Sequence, residues 1–282
     1  MTFQMPGKNK PRADYVAADA SPLGFAISQI DSQTLAMVSA ALDTRRLRLA
    51  FQPVVISSDT QRIGFYEGFI RVLDPTGRAI PARDFMPVVE TQELGRRIDC
   101  AVLQMGLNTL ARHPALRLSI NMSARSIGYP GWTRVLRQTL KAHPGLGQRL
   151  ILEISEASVM TIPEIVIAFM HDMQKEGISF ALDDFGAGFM APRYFRSFLF
   201  DMVKIDGQFV RGAEDNPDNQ VMIEALVGLA RHFDMFTVAE GVETVPEAEY
   251  LRGAGLDCLQ GYLFGSPTVK PDFLDTSARQ QA

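Results

Sequence analysis

Ser179-Phe180-Ala181-Leu182-Asp183-Asp184-Phe185-Gly186 is an apolar run that ends in two adjacent carboxylates and a glycine turn. Two neighbouring acids repel, so bringing them together beside a buried strand requires a cation or a shared proton. Carboxylates combined with amide oxygens suit magnesium or manganese. The same layout recurs along the chain. Short β-rich runs are read at 49–52, 63–72, 116–122, 150–154, 179–184, 202–205, 236–239 and 256–264, separated by amphipathic stretches at 99–110, 162–176, 220–233 and 246–253. Leu35, Val38, Leu42 and Leu47 mark a further helix, starting near residue 31, that feeds the first run.

Alternating β and α units imply a parallel sheet with helices outside it. Seven or eight such units in roughly 250 residues match a TIM-like (βα)₈ barrel. An open doubly wound sheet is the competitor, but no GxGxxG follows an early strand. Polar residues cluster at the C-terminal ends of the runs: Glu67 within or near the end of one, then Asn121, Glu153, Asp183, Lys204 with Asp206, Glu240 and Gln260. In a closed parallel barrel those ends converge on one face.

Glu67, Asn121, Glu153 and Asp183 would supply oxygen ligands only, a set for a hard cation rather than structural zinc. Asp184 would hold a second ion or the attacking water, since two cations about 3.5–4 Å apart can clamp both oxygens of a phosphodiester displacement. Lys204 would hold that water or neutralise charge developing on the phosphoryl oxygens. Any one of these acids alone reads as a solvated loop carboxylate; the joint arrangement is what points to a metal site.

The 282 residues are 46% hydrophobic and 21% charged, enough for a sizeable core. A net charge of −4 argues against a DNA-binding surface. Cys100 and Cys258 form no CxxC pair and read as reduced thiols of a cytoplasmic protein. No apolar run reaches the roughly 18 residues needed to span a bilayer, so membrane insertion is not expected. Residues 1–30 read as a flexible leader, 31–270 as a single barrel domain and 271–282 as a tail. His113, His143, His171 and His232 lack ligand spacing, and the first and second of these precede proline at apparent helix ends. Phe195, Phe198 and Phe200 read as core, and Arg45, Arg46 and Arg48 as a solvated helix face. The neighbourhood of Gly131 and Trp132 carries no clear signal.

Taken in order, Phe51-Gln52-Pro53-Val54-Val55, Tyr66-Glu67-Gly68-Phe69-Ile70-Arg71, Ser119-Ile120-Asn121-Met122-Ser123 and Leu152-Glu153-Ile154-Ser155-Glu156 form a series. It continues through Leu182-Asp183-Asp184-Phe185-Gly186, Val203-Lys204-Ile205-Asp206, Ala239-Glu240-Gly241-Val242-Glu243-Thr244 and Gln260-Gly261-Tyr262. The series resembles EAL domains, bacterial enzymes that hydrolyse cyclic di-GMP to linear pGpG, over residues 35–267. The resemblance implies a (βα)₈-related barrel with an irregular strand, and two Mg²⁺ or Mn²⁺ ions. It implies that Glu67, Asn121, Glu153 and Asp183 are shared metal ligands and that Asp184 serves the second ion. Lys204 corresponds to the lysine contacting the catalytic water, with Glu240 and Gln260 supporting the metals and water. Gln52, Arg71, Asp206 and Gln260 fall among substrate-contacting positions, Arg71 reaching a phosphate. Glu156 corresponds to the anchor of the loop after Asp184, which couples dimerisation to activity in the family. A homodimer follows from the same resemblance.

The signature tripeptide is Glu67-Gly68-Phe69 rather than Glu-Ala-Leu, and residues 187–192 depart from the family's usual hydroxyl-rich loop. Glycine at 68 adds backbone freedom, and Phe69 is bulky enough to crowd a nucleotide pocket or alter barrel packing. Three functions therefore compete: an active phosphodiesterase, a cyclic di-GMP receptor acting through a protein partner, and a ligand-independent interaction domain. With no cyclase, sensor or membrane segment visible, regulation is expected from an unidentified regulatory protein, dimerisation or the leader.

Overall fold

The computed structural model describes residues 22–188 and 192–274. Helix α1 (Pro22–Asp43) leads into β1 (Leu47–Ile56), which turns back into β2 (Asp59–Leu73) and the short β3 (Ala79–Pro81). Then come α2 (Met86–Val89), α3 (Glu93–Arg112), β4 (Leu118–Asn121), α4 (Pro130–Ala142), β5 (Leu150–Ser155), α5 (Glu156–Val159) and α6 (Pro163–Gln174). The chain continues through β6 (Ser179–Phe185), β7 (Met202–Ile205), α7 (Gly207–Val210), α8 (Pro217–His232), β8 (Phe236–Ala239), α9 (Val245–Ala254) and β9 (Cys258–Gln260).

The strand order β1-β9-β8-β7-β6-β5-β4-β2 closes on itself because β1 also pairs with β2, giving an eight-stranded barrel with β3 appended to β2. β2 and β4 to β9 run parallel, whereas β1 is antiparallel to both neighbours, β2 and β9. That reversed strand is the irregularity within an otherwise TIM-like barrel.

Side chains on a strand alternate between faces, so residues two apart share one. Val54, Phe65, Ile151, Ala181 and Val238 form a separate apolar cluster, with Met202 and Cys258 packed against it. These residues fill the barrel's interior and form a floor. Two positions along each strand toward the C-terminal face stand Glu67, Glu153, Asp183, Lys204, Glu240 and Gln260. On reversed β1 the order inverts, so Gln52 precedes Val54. Ser119 and Asn121 make the corresponding pair on β4. The alternate residues, including Ile120, Leu152, Ile154, Phe180, Leu182, Val203, Ile205 and Leu259, are buried in the main core between sheet and helices.

Several expectations change. The first helix starts at Pro22, so residues 22–30 of the expected leader are helical; residues 1–21 lie outside the described ones. The last strand, expected through 264, stops at Gln260. There the backbone of Gly261 lies against Val242, where a Cβ would collide with main-chain atoms. Arg46 is not on a solvated helix face: after a turn at Arg45 (φ 56°), its Nη1 donates to Leu73 O at 2.8 Å. Trp132 is buried in α4, its ring centroid 5.5 Å from that of Phe169. Within the expected tail, Phe273 packs edge-on against Phe51, Tyr66 and His113; residues 275–282 lie outside the described ones. Phe195, Phe198 and Phe200 are buried, and His113 and His143 cap the ends of α3 and α4. No helix among the described residues is long and apolar enough to cross a membrane.

Candidate active site

The polar layer above the floor takes a residue from every barrel strand, toward or just past the C-terminal ends of β4 to β9 and mid-strand on β1 and β2, and Lys204 is its centre. The Lys204 Nζ lies 2.9 Å from Glu67 Oε2, 2.8 Å from Glu153 Oε2, 3.2 Å from Asp183 Oδ1 and 2.7 Å from Glu240 Oε1. Lys204, Glu67 and Glu153 are buried, so water contributes little to screening. Gln260 Nε2 donates to Glu67 Oε2 at 2.7 Å and to Gln52 Oε1 at 3.2 Å. Gln52, directly opposite Glu67 in the β1–β2 ladder, donates from Nε2 to Gly265 O at 2.9 Å. Asn121 Nδ2 donates to Glu67 Oε1 at 2.7 Å. With its amide nitrogen engaged, Asn121 offers its carbonyl oxygen, the only metal-binding atom an amide has.

Asp183 and Asp184 are consecutive, and on a regular strand they would face opposite sides. Asp184 instead has φ 57°, and the β6–β7 register slips between Leu182 and Phe185. Aspartate tolerates this left-handed conformation better than most residues. Both carboxylates consequently line one cavity of about 890 Å³, together with Gln52, Arg71, Asn121 and Tyr262. Oxygens of Asp183, Asp184 and Glu240 lie within 4.8 Å of one another.

Four carboxylates thus contact a single ammonium, with Asp184 beside Asp183 as a fifth acid, and the imbalance shows in the titration of Glu153, Glu240, Asp184 and Glu67. Burial, and next the charge of Glu67, push the Glu153 carboxyl well above its ordinary range. Burial and then Asp183 do the same to Glu240. Asp184 rises to about 6 through burial and the adjacent Asp183. Burial alone would also raise Glu67, but the Lys204 charge and the Gln260 hydrogen bond bring it below its usual value. Burial opposes charge on Lys204, yet Asp183, Glu153, Glu240 and Glu67 together hold its ammonium far above normal. Among the described residues Glu153 Oε1 and Asp183 Oδ1 are buried without a hydrogen bond, the latter despite its proximity to Lys204. Surplus negative charge, unpaired buried oxygens and an all-oxygen donor set fit one or two hard divalent cations.

Not every expected residue joins this layer. Asp206 accepts from Gln208 N at 2.8 Å as the N-cap of α7 and is outside the cavity lining. Glu156 is buried and accepts from Gly188 N at 3.2 Å, at the base of the loop after Asp184. Arg71 lines the cavity. Gly68 is regular strand rather than a point of freedom: an added Cβ would meet Ile120, Leu118 and Ser119 at 3.5 Å, ordinary contacts. Asp99 escaped sequence reasoning. Buried on α3, it accepts from Ser126 Oγ at 2.6 Å and Ser123 N at 3.0 Å, fixing the turn that follows Asn121. An acid between Ile98 and the buried Val102 was the available signal.

The chain belongs to the EAL domain family, whose model matches residues 35–267. It is similar to the bifunctional diguanylate cyclase/cyclic di-GMP phosphodiesterase MucR of Pseudomonas aeruginosa, at 29% identity over 96% of this chain and 40% of that protein. The solved structure of the MucR phosphodiesterase in complex with c-di-GMP superposes with a TM-score of 0.74 at 29% identity, covering 84% of this chain and 97% of that one. The FimX EAL domain from Pseudomonas aeruginosa bound to c-di-GMP superposes with a TM-score of 0.77 at 26% identity, covering 85% of this chain and 98% of that one. The chain spans less than half the length of MucR.

Proposed function

We propose that this domain hydrolyses cyclic di-GMP to linear pGpG using two Mg²⁺ or Mn²⁺ ions. The observation that carries this reading is the convergence of four carboxylates on buried Lys204, with Asp184 beside Asp183 and Glu240, at the open end of the barrel. Glu67, Asn121, Glu153 and Asp183 would hold one ion and Asp184 the second. When bound, such ions supply Lewis-acid polarisation of the phosphodiester and a nucleophile at neutral pH.

The chain's own residues supply placement. Asn121 and Gln260 fix both oxygens of Glu67. Lys204 neutralises part of the cluster and stands where it can hold the attacking water beside Glu240. Glu240, its carboxyl raised by burial and then by Asp183, is the carboxylate placed to accept a proton beside Lys204. Gln52 and Arg71 face the cavity where the nucleotide would lie. Asp206, as a helix cap, would act on the ligand only from outside that lining. Glu156 steadies the loop after Asp184.

A receptor that binds cyclic di-GMP without cleaving it is the second reading, favoured by Phe69, which stands on the cavity wall in place of the family's leucine. Incubation with cyclic di-GMP and Mg²⁺ or Mn²⁺, followed by chromatography, decides between them. A pGpG peak that vanishes in Glu67→Ala and Asp183→Ala establishes the phosphodiesterase. Intact dinucleotide alongside measurable binding makes the domain a receptor. A homodimer, resting on the family resemblance, a cytoplasmic location, resting on the two reduced-type thiols, and a regulatory protein partner complete the proposal. Sedimentation with and without nucleotide tests the first of these.

A further inference from the structure

Away from the acidic layer the cavity wall carries two arginines, Arg71 and Arg83, with Glu90 in the same lining. Glu67, Phe69 and Arg71 share one face of β2, and at a rise of about 3.3 Å per residue Arg71 stands roughly 13 Å along the strand from Glu67. Arg71 lies opposite Pro81 in the β2–β3 ladder. Arg83, two residues past Pro81, brings a second guanidinium to the same cavity wall. Among the described residues Arg71 makes no ion pair; its Nη1 donates only to Ile70 O at 3.0 Å. Among the described residues the one ion pair of Arg83 is with its neighbour Asp84, at 3.6 Å, and that pair is largely exposed. Burial, and next the charge of Arg83, depress Arg71, while Tyr262 and Asp84 act in the opposite direction.

Phe69 is half-buried but belongs to neither apolar cluster, unlike the core phenylalanines. Its ring faces the cavity with the Arg71 Cζ 5.8 Å from its centroid. That distance is within cation–π range, and a planar guanidinium on a ring is held in a narrow set of orientations. Two like charges on one wall repel each other and are matched by an anion between them; a guanidinium fork suits phosphate oxygens. A cyclic dinucleotide carries two phosphodiesters across one ring, and only one can sit at the acidic cluster.

We propose that Arg83 is a ligand-contacting residue that joins Arg71 in clamping the phosphodiester not held at the acidic cluster, with Phe69 as the positioning residue that shelves Arg71. This inference rests on the cyclic di-GMP reading above. It assigns a role to the phenylalanine of the altered tripeptide and to a residue outside every motif of the sequence series.

Calorimetric titration of cyclic di-GMP in Ca²⁺, at low and moderate salt, with product analysis of each sample, tests it. Arg83→Ala should weaken binding about tenfold and flatten its salt dependence, with Arg83→Lys recovering part of the loss. Arg134→Ala, the same charge change on exposed α4 away from the cavity, should leave affinity within twofold. Phe69→Leu should weaken binding several-fold when Arg71 is present and have no further effect in an Arg71→Ala background. Arg83→Ala binding like the unmodified protein, or like Arg134→Ala, overturns the clamp. An equal loss from Phe69→Leu with or without Arg71 overturns the shelf and makes Phe69 a direct ligand contact. Absence of heat with the unmodified protein overturns the cyclic di-GMP reading itself, and the clamp with it.

Discussion

Replacing Lys204 with methionine removes the ammonium from the centre of the acidic layer while roughly keeping its volume. In the unmodified protein that ammonium lies within 3.2 Å of four carboxylates and is buried. Removing one partner from a buried ionic group leaves uncompensated charge and costs about 3–5 kcal/mol. For a domain of this size each kcal/mol moves the midpoint by about 2–4 °C, so the metal-free variant should melt roughly 6–20 °C lower. A divalent ion is the natural replacement charge. At a hundredfold excess over its Kd, a bound ion contributes about 2.7 kcal/mol. The more negative variant cluster should bind it more tightly than the unmodified one, so the gap between the proteins narrows with metal. Thermal unfolding in chelator and in excess MgCl₂ measures both effects. A Lys204→Met midpoint within 2 °C of the unmodified protein in chelator would refute the buried-charge argument. Equal stabilisation of the two proteins by Mg²⁺ would refute the idea that metal and lysine serve the same carboxylates.

Three further outcomes are expected. Gly68→Ala restores a side chain that meets neighbours only at 3.5 Å, so it should stabilise the strand by about 0.5–1 kcal/mol and raise the melting point by a few degrees without loss of binding. Burial raises the Asp99 carboxyl to about 7 from 3.8, so the folded state holds a proton that the unfolded state has released. Stability from this group is full below about pH 4 and falls as pH climbs through 7; Asp99→Asn should gain on the unmodified protein from pH 5 to 8, and parallel pH–stability curves would contradict this. Trp132→Ala empties a fully buried site in α4 and should cost about 3–5 kcal/mol by denaturant titration while leaving the metal ligands unchanged.

The acidic layer was legible because strand geometry puts it two residues beyond an apolar one: Ala181 then Asp183, Met202 then Lys204, Val238 then Glu240. The bounds of β7 and β8 coincide with the runs read from sequence, since both are short runs whose last three residues are buried. Other features depend on tertiary context. Asp184 turns inward through a positive φ and a register slip, and neither is written in residue type. Asp99 acts through partners distant along the chain and Arg83 reaches the cavity wall from the turn after β3, and a lone acid or arginine carries no periodic signal. Trp132 was silent because a single aromatic beside Pro130 and Gly131 does not reveal which way a helix faces.

The apolar floor beneath the site has a kinetic consequence. Val54, Phe65, Ile151, Ala181 and Val238 stop the barrel from being a passage, so anything that reaches the acidic layer must leave by the mouth through which it came. Under the proposed reaction, linear product departs along the approach path of the next cyclic molecule and retains the phosphates that path is built to hold. Accumulating pGpG should therefore compete with substrate for free domain, so that turnover slows in step with the ratio of linear to cyclic nucleotide rather than with substrate depletion alone.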